Sequence, residues 1–158
     1  MFRFLWITAV VCILDQVTKY FALKHLVRSE MAITPFLNFS LAFNTGAAFS
    51  FLSDAGGWQN FFFVGVAFVV SIIILFMVRR LGANDTQVAV ALTLVLGGAA
   101  GNVIDRVRYG YVVDFIDVYY RSWHWPTFNI VDSAITIGAI LLVMDALGIT
   151  FRRRSRPE

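Results

Sequence analysis

A chain of 158 residues that is 59% hydrophobic and 15% charged, with a formal net charge of +3 and a mean hydropathy of +0.74, does not have the composition of a soluble domain. Soluble domains carry about 25% charged residues, so a membrane protein is expected, with residues 1–158 forming a single domain. A single cysteine, Cys12, excludes an intramolecular disulfide, and no basic patch interleaved with accessible aromatics points to nucleic acid.

Four apolar runs follow in chain order, at about 4–26, 61–78, 88–104 and 130–149. Each approaches the roughly 17–25 residues that cross a bilayer as a helix. They are too long and too unalternating for barrel strands. The first run is read as a retained helix, because Asp15 and Lys19 continue it where a signal peptide would show a small-x-small cleavage site. Asp15 and Lys19 are four apart, acid first, which favours an ion pair on one helix face. A structural role for that pair competes with a catalytic one.

The loop 27–60 contains ITPFLNFSLAFNTGAAFSFL, residues 33–52. Its partial alternation (Phe39, Leu41, Phe43) predicts a short sheet or hairpin, and Asn44-Thr45-Gly46 predicts a tight turn. The second run is almost uninterrupted by polar residues. The third ends in GGAAGNVIDR, residues 97–106, whose small residues let helices approach closely in lipid. Asn102 and Arg106 share a face. Asp105 and Arg106 are read as an interfacial ion pair where this helix leaves the membrane.

The loop 105–129 and the start of the fourth run concentrate acids. Four of the ten, Asp105, Asp114, Asp117 and Asp132, fall here. Asn129 is positioned to cap the fourth helix with Asp132 at its third position, as in a capping box. The positive end of that helix would stabilise an Asp132 anion, while Asp114, among aromatics, would hold a proton more readily. One ionised and one protonated carboxylate make an acid–base pair, but a capping role explains Asp132 equally well. His25 and His124 have no second ligand at metal spacing, so neither a metal nor a cofactor is expected.

Four spans place both termini on one side. Arg3, Arg79, Arg80, Arg152, Arg153, Arg154 and Arg156 share it, against Lys24, Arg28, Arg106, Arg108 and Arg121 opposite. The positive-inside rule makes the termini cytoplasmic and turns the two long loops outward. Most of the Tyr and Trp residues fall near that outer surface, so these loops are expected to rest on the membrane. From the residues alone three readings stay open: an aspartyl enzyme, a small proton-coupled membrane transporter and a non-enzymatic assembly subunit. A serine–lysine pair, Lys19 with Ser40 or Ser50, has no spacing argument behind it.

The blocks DQVTK (15–19), NTGAAFS (44–50), GGAAGNVIDR (97–106), VVDFID (112–117) and FNIVDSAI (128–135) together resemble the lipoprotein signal peptidases, or signal peptidase II. They recur in that family's order over essentially the whole chain. The resemblance implies an all-α membrane protein of four transmembrane helices, with a small extracytoplasmic β-like cradle between helices 1 and 2. It implies an aspartyl endopeptidase of the bacterial inner membrane, with Asp114 and Asp132 catalytic. Asn44, Asn102, Arg106 and Asn129 would line the site, and Asp15 and Lys19 would be structural. The implied substrates are diacylglyceryl-prolipoproteins, cleaved before the lipidated cysteine amid membrane lipid, and the implied inhibitors are cyclic peptides such as globomycin. A monomer is expected.

Overall fold

The computed structural model describes residues 1–46 and 57–151. A 3-10 turn, Phe2–Phe4, leads into α1 (Leu5–His25). Strands β1 (Met31–Thr34) and β2 (Leu37–Asn44) follow, then α2 (Trp58–Arg80) and α3 (Thr86–Tyr109). Strands β3 (Val112–Tyr120) and β4 (Trp123–His124) precede α4 (Ile130–Ala146).

α3 is the central helix, packed against α1, α2 and α4. Its small residues make this possible. A Cβ on Gly101 would stand 2.6 Å from Val131 Cγ1, and one on Gly98 would stand 2.8 Å from the Val131 carbonyl. On α4, a Cβ on Gly138 would stand 2.7 Å from the Ala91 carbonyl. Thr8 and Cys12 of α1 donate to the α3 carbonyls of Thr93 and Gly97. Three apolar clusters complete the packing: Ile74, Val78, Leu92 and Leu96 between α2 and α3; Val11, Val131 and Ala134 between α1 and α4; and Ala22, Leu26 and Phe115 between α1 and the sheet.

α2 is apolar on every side and mostly unburied; Phe61 is 80% exposed. In water such a surface would be unfavourable, and in lipid it is ordinary. α1, α2 and α3 are long and apolar enough to cross a membrane. α4 is shorter, with 17 residues.

The four strands form one antiparallel sheet in the order β1-β2-β3-β4. This corrects the sequence reading, which confined β structure to the loop between helices 1 and 2. The loop read over 105–129 supplies β3 and β4. The alternation that would announce β3 is hidden, because Val112, Val113, Asp114 and Phe115 are all buried. A strand covered on both faces reads as a continuous run.

The boundaries also differ. α3 does not end at Ile104 but continues through Asp105 and Arg106 to Tyr109. It stops where Gly110 takes a left-handed conformation (φ +82°) and donates its amide to the Arg106 carbonyl. Asp105 and Arg106 are therefore buried helical residues and not part of a loop. The predicted turn at Asn44 is present, closed by Gly46 N–H donating to Asn44 Oδ1 at 3.0 Å. Ser50 and the arginines beyond Phe151 lie outside the described residues.

Candidate active site

The sheet meets the bundle where α3 ends and α4 begins. Asn129 is extended and its side chain accepts from Asp132 N–H at 3.0 Å. Asp132 Oδ2 accepts from Asn129 N–H at 3.2 Å, completing the predicted capping box. The Asp132 carboxylate thus sits at the positive end of α4.

Asp114 arrives from β3, opposite Ala42 of β2. Its side chain is almost wholly buried. Asn44 Nδ2 donates to Oδ2 at 3.2 Å and Asn129 Nδ2 donates to Oδ1 at 2.7 Å. Asn102, on α3, donates to Asp132 Oδ1 at 3.1 Å. Asn129 Nδ2 also lies 3.5 Å from Asn102 Oδ1. The two aspartates are therefore joined through one residue, Asn129, and braced by two further asparagines.

Burial pushes the Asp114 carboxyl up to about 7, and the negative charge of Asp132 adds to the rise. The hydrogen bonds from Asn44 and Asn129 and the charge of Lys19 oppose it without cancelling it. Near neutral pH Asp114 can therefore hold or release a proton, the property a general acid or base needs.

Arg106 forms one wall. Its Nη2 donates to the Gly46 carbonyl at 2.7 Å, and its guanidinium lies 5.1 Å from the centre of the Phe63 ring. Nε is buried with no hydrogen-bond partner among the described residues. Asn60 of α2, not singled out in the sequence, donates to the Arg106 carbonyl at 3.1 Å.

Behind this site lies a buried ionic cluster. Lys19 Nζ is 2.8 Å from Asp15 Oδ2, as the i, i+4 spacing predicts, and also 2.8 Å from Asp105 Oδ2. The second contact corrects the expected Asp105–Arg106 pair, because helical geometry points consecutive residues in different directions. Gln16 donates to Asp15 Oδ2 at 3.1 Å and to Asp105 Oδ1 at 2.9 Å. Asp105 and Gln16 were missed as partners. The only signal was a glutamine inside an apolar run.

Not all the candidates converge. Asp117 is three residues from Asp114 on a strand, hence on the opposite face. It pairs instead with His124 Nδ1 at 2.9 Å. His25 stacks on Phe21. Ser40 donates to Glu30, and Lys19 is committed to two carboxylates, so their spacing gains no support as a nucleophile pair. Among the described residues no group of His, Cys, Asp and Glu side chains is arranged to hold a metal ion.

A sequence model described as signal peptidase (SPase) II matches residues 7–148. A lipoprotein signal peptidase of Acinetobacter baylyi is 52% identical over 147 residues, covering 92% of this chain and 82% of that protein. One from Coxiella burnetii is 47% identical over 141 residues, covering 89% and 86%. Two bacterial membrane enzyme structures solved in meso share the fold. The one at 2.3 Å resolution has a TM-score of 0.84, with 34% identity over 100% of this chain and 95% of the other. The one at 1.9 Å has a TM-score of 0.81, with 35% identity over 95% and 96%.

Proposed function

This chain belongs to the signal peptidase II family of bacterial membrane proteases, and on that premise we propose an aspartyl endopeptidase that removes the signal peptide from diacylglyceryl-modified prolipoproteins. Asp114 and Asp132 are the catalytic pair. The observation that carries this reading is Asn129, which donates to Asp114 through its side chain and to Asp132 through its backbone. It holds together two carboxyl groups from separate elements, one with its proton affinity raised toward neutrality.

In the proposed reaction one carboxylate takes a proton from water as the water oxygen attacks the scissile carbonyl carbon. The other carboxyl donates its proton to the carbonyl oxygen, giving a neutral diol. The diol collapses with C–N cleavage, and a proton passes to the leaving amine of the lipidated cysteine. Asp114, raised toward 7, suits the protonated role at the outset. Asn44, Asn102 and Asn129 orient the carboxyls. Arg106, whose guanidinium forms one wall of the site, is the group that would meet a substrate carbonyl. Positioning of this kind contributes several kcal/mol to catalysis.

The rest of the assignment follows the same premise. The chain is one integral membrane domain in which α4 also spans, so that both termini are cytoplasmic and the site opens to the outer face. The arginines in the last turn of α2, Arg79 and Arg80, support this orientation. The sheet forms an outer cradle, and a diacylated cysteine reaches it through the bilayer. Cyclic peptides such as globomycin occupy the same site, and the protein acts as a monomer. A transporter would distribute carboxylates through the membrane depth. Here Asp105, Asp114 and Asp132 meet where the sheet joins the end of α3 and the start of α4, and membership of a protease family does not favour that alternative.

The deciding experiment is cleavage of a synthetic diacylated lipobox peptide by the purified protein and by folded Asp114→Asn and Asp132→Asn variants. Loss of turnover in both is expected. Robust cleavage by either would remove the aspartate mechanism while leaving family membership intact.

A further inference from the structure

Val113 directs its backbone polar groups to partners outside the sheet. It faces Phe43 in the β2–β3 register, yet its amide donates to Asp105 Oδ2 at 3.0 Å and its carbonyl accepts from Asn129 Nδ2 at 3.3 Å. Val113 is fully buried, so water cannot substitute for either side chain. Two side chains thus stand where a neighbouring strand would stand. Asn129 already belongs to the site. Asp105 has no role in the mechanism above.

Asp105 is itself fully buried and held from three directions. Oδ2 meets Lys19 Nζ at 2.8 Å as well as the Val113 amide, and Oδ1 accepts from Gln16 at 2.9 Å. Lys19 and Gln16 are in turn bound to Asp15 on the same helix. Burying two carboxylates and an ammonium costs several kcal/mol per ion, and well-packed apolar residues would join α1 to α3 at least as well. What an apolar substitute cannot do is accept a hydrogen bond. A bond from the Val113 amide to a charged acceptor is stronger than one to a neutral acceptor, and it acts one residue before Asp114.

We propose that Asp105 is a positioning residue for the aspartate pair: clamped by Lys19 and Gln16 of α1, it fixes the Val113 amide and so sets where β3 delivers Asp114 against Asp132. The inference rests on the aspartyl reading above. The chain of contacts runs from α1 to α3 to β3, and it meets the Asn129 contact at the same residue, Val113, on the next peptide group. Lys19 is also close enough for its charge to be felt at Asp114.

The test compares kcat and KM for a diacylated lipobox peptide, with thermal unfolding, in the full-length native protein and in Asp105→Leu, Asp105→Asn, Gln16→Leu and Asp114→Asn. Asp105→Leu, which has no acceptor, should lose kcat on the order of 10²-fold, because a misplacement of about 1 Å costs that much. Asp105→Asn keeps an acceptor oxygen and should lose about tenfold, with KM within about twofold of native. Gln16→Leu should show a smaller loss, again in kcat.

A merely structural Asp105 would instead give losses that track the unfolded fraction. That result overturns the proposal, as does a kcat within about threefold of native in folded Asp105 variants, or a loss confined to KM. If Asp105→Leu does not fold, Asp105→Asn decides. If neither folds, Gln16→Leu decides, and full kcat there refutes the positioning role. Asp114→Asn separates the two claims. Its inactivity keeps the aspartyl reading whatever happens at Asp105; its activity ends that reading independently.

Discussion

Asn129 Nδ2 donates to Asp114 Oδ1 at 2.7 Å, the shortest of the asparagine contacts to the aspartates, and the same residue opens α4. Asn129→Ala therefore removes a helix cap and a carboxyl brace together. The cap alone is worth about 0.5–2 kcal/mol of stability. Turnover should fall by about 10²-fold or more, beyond what that destabilisation explains. Thermal unfolding and peptide cleavage on one preparation separate the two effects.

The pH profile should carry the mark of Asp114. If it starts the reaction protonated, activity falls on the alkaline side as it ionises, with a limb near its raised value of about 7. An Asp132→Asn variant with residual turnover should show that limb at lower pH, because the charge of Asp132 adds to the rise. A profile flat from about pH 6 to pH 9 would remove Asp114 from the acid role.

Stability should depend on pH in the same window. A carboxyl raised from 3.8 to about 7 in the folded state binds its proton more tightly there than when unfolded. Its contribution is fully present below about pH 4 and is lost as pH rises through about 7, up to a few kcal/mol. Asp114→Asn removes this titration. The native protein should lose stability relative to the variant between about pH 4 and pH 8, as read from denaturation at matched ionic strength.

Gly101→Ala should be disproportionately harmful. The added methyl would stand 2.6 Å from Val131 Cγ1 and 3.0 Å from Asp15 Oδ2. Overpacking of this kind costs about 1–3 kcal/mol and would separate α3 from α4 behind the site. Gly65→Ala on α2, where nothing lies within 4 Å, is the control and should be silent.

Asp15→Asn should lower stability more than intrinsic turnover. Asp15 is fully buried, but Lys19 keeps Asp105 as a counter-charge, so the loss should stay below the roughly 3–5 kcal/mol of a fully orphaned buried ion. Unchanged melting with abolished cleavage would assign Asp15 a direct part in the chemistry.

The helices and the cap that opens α4 were legible in the sequence for different reasons. The apolar runs announce themselves by length. The Asn129–Asp132 capping box is a local pattern, three residues apart, and it stands as read. The meeting of Asp114 with Asn129 is not local. It depends on β3 crossing the bundle end, and a doubly buried strand carries no alternation to reveal it. The Lys19–Asp105 contact was hidden for a similar reason. α3 runs on past Ile104 until Gly110 stops it, and the sequence placed the exit earlier, at the first charged residues. Small residues in GGAAG predicted close packing correctly, but not that Gly101 would leave room for Asp15.

The capping box has one more effect. The carboxylate that starts α4 is also one half of the proposed reactive pair, and its bridge to the other half is the capping asparagine. On the proposed mechanism, the two acids form a working pair only once α4 has docked against β3, so turnover would report that this part of the fold is assembled.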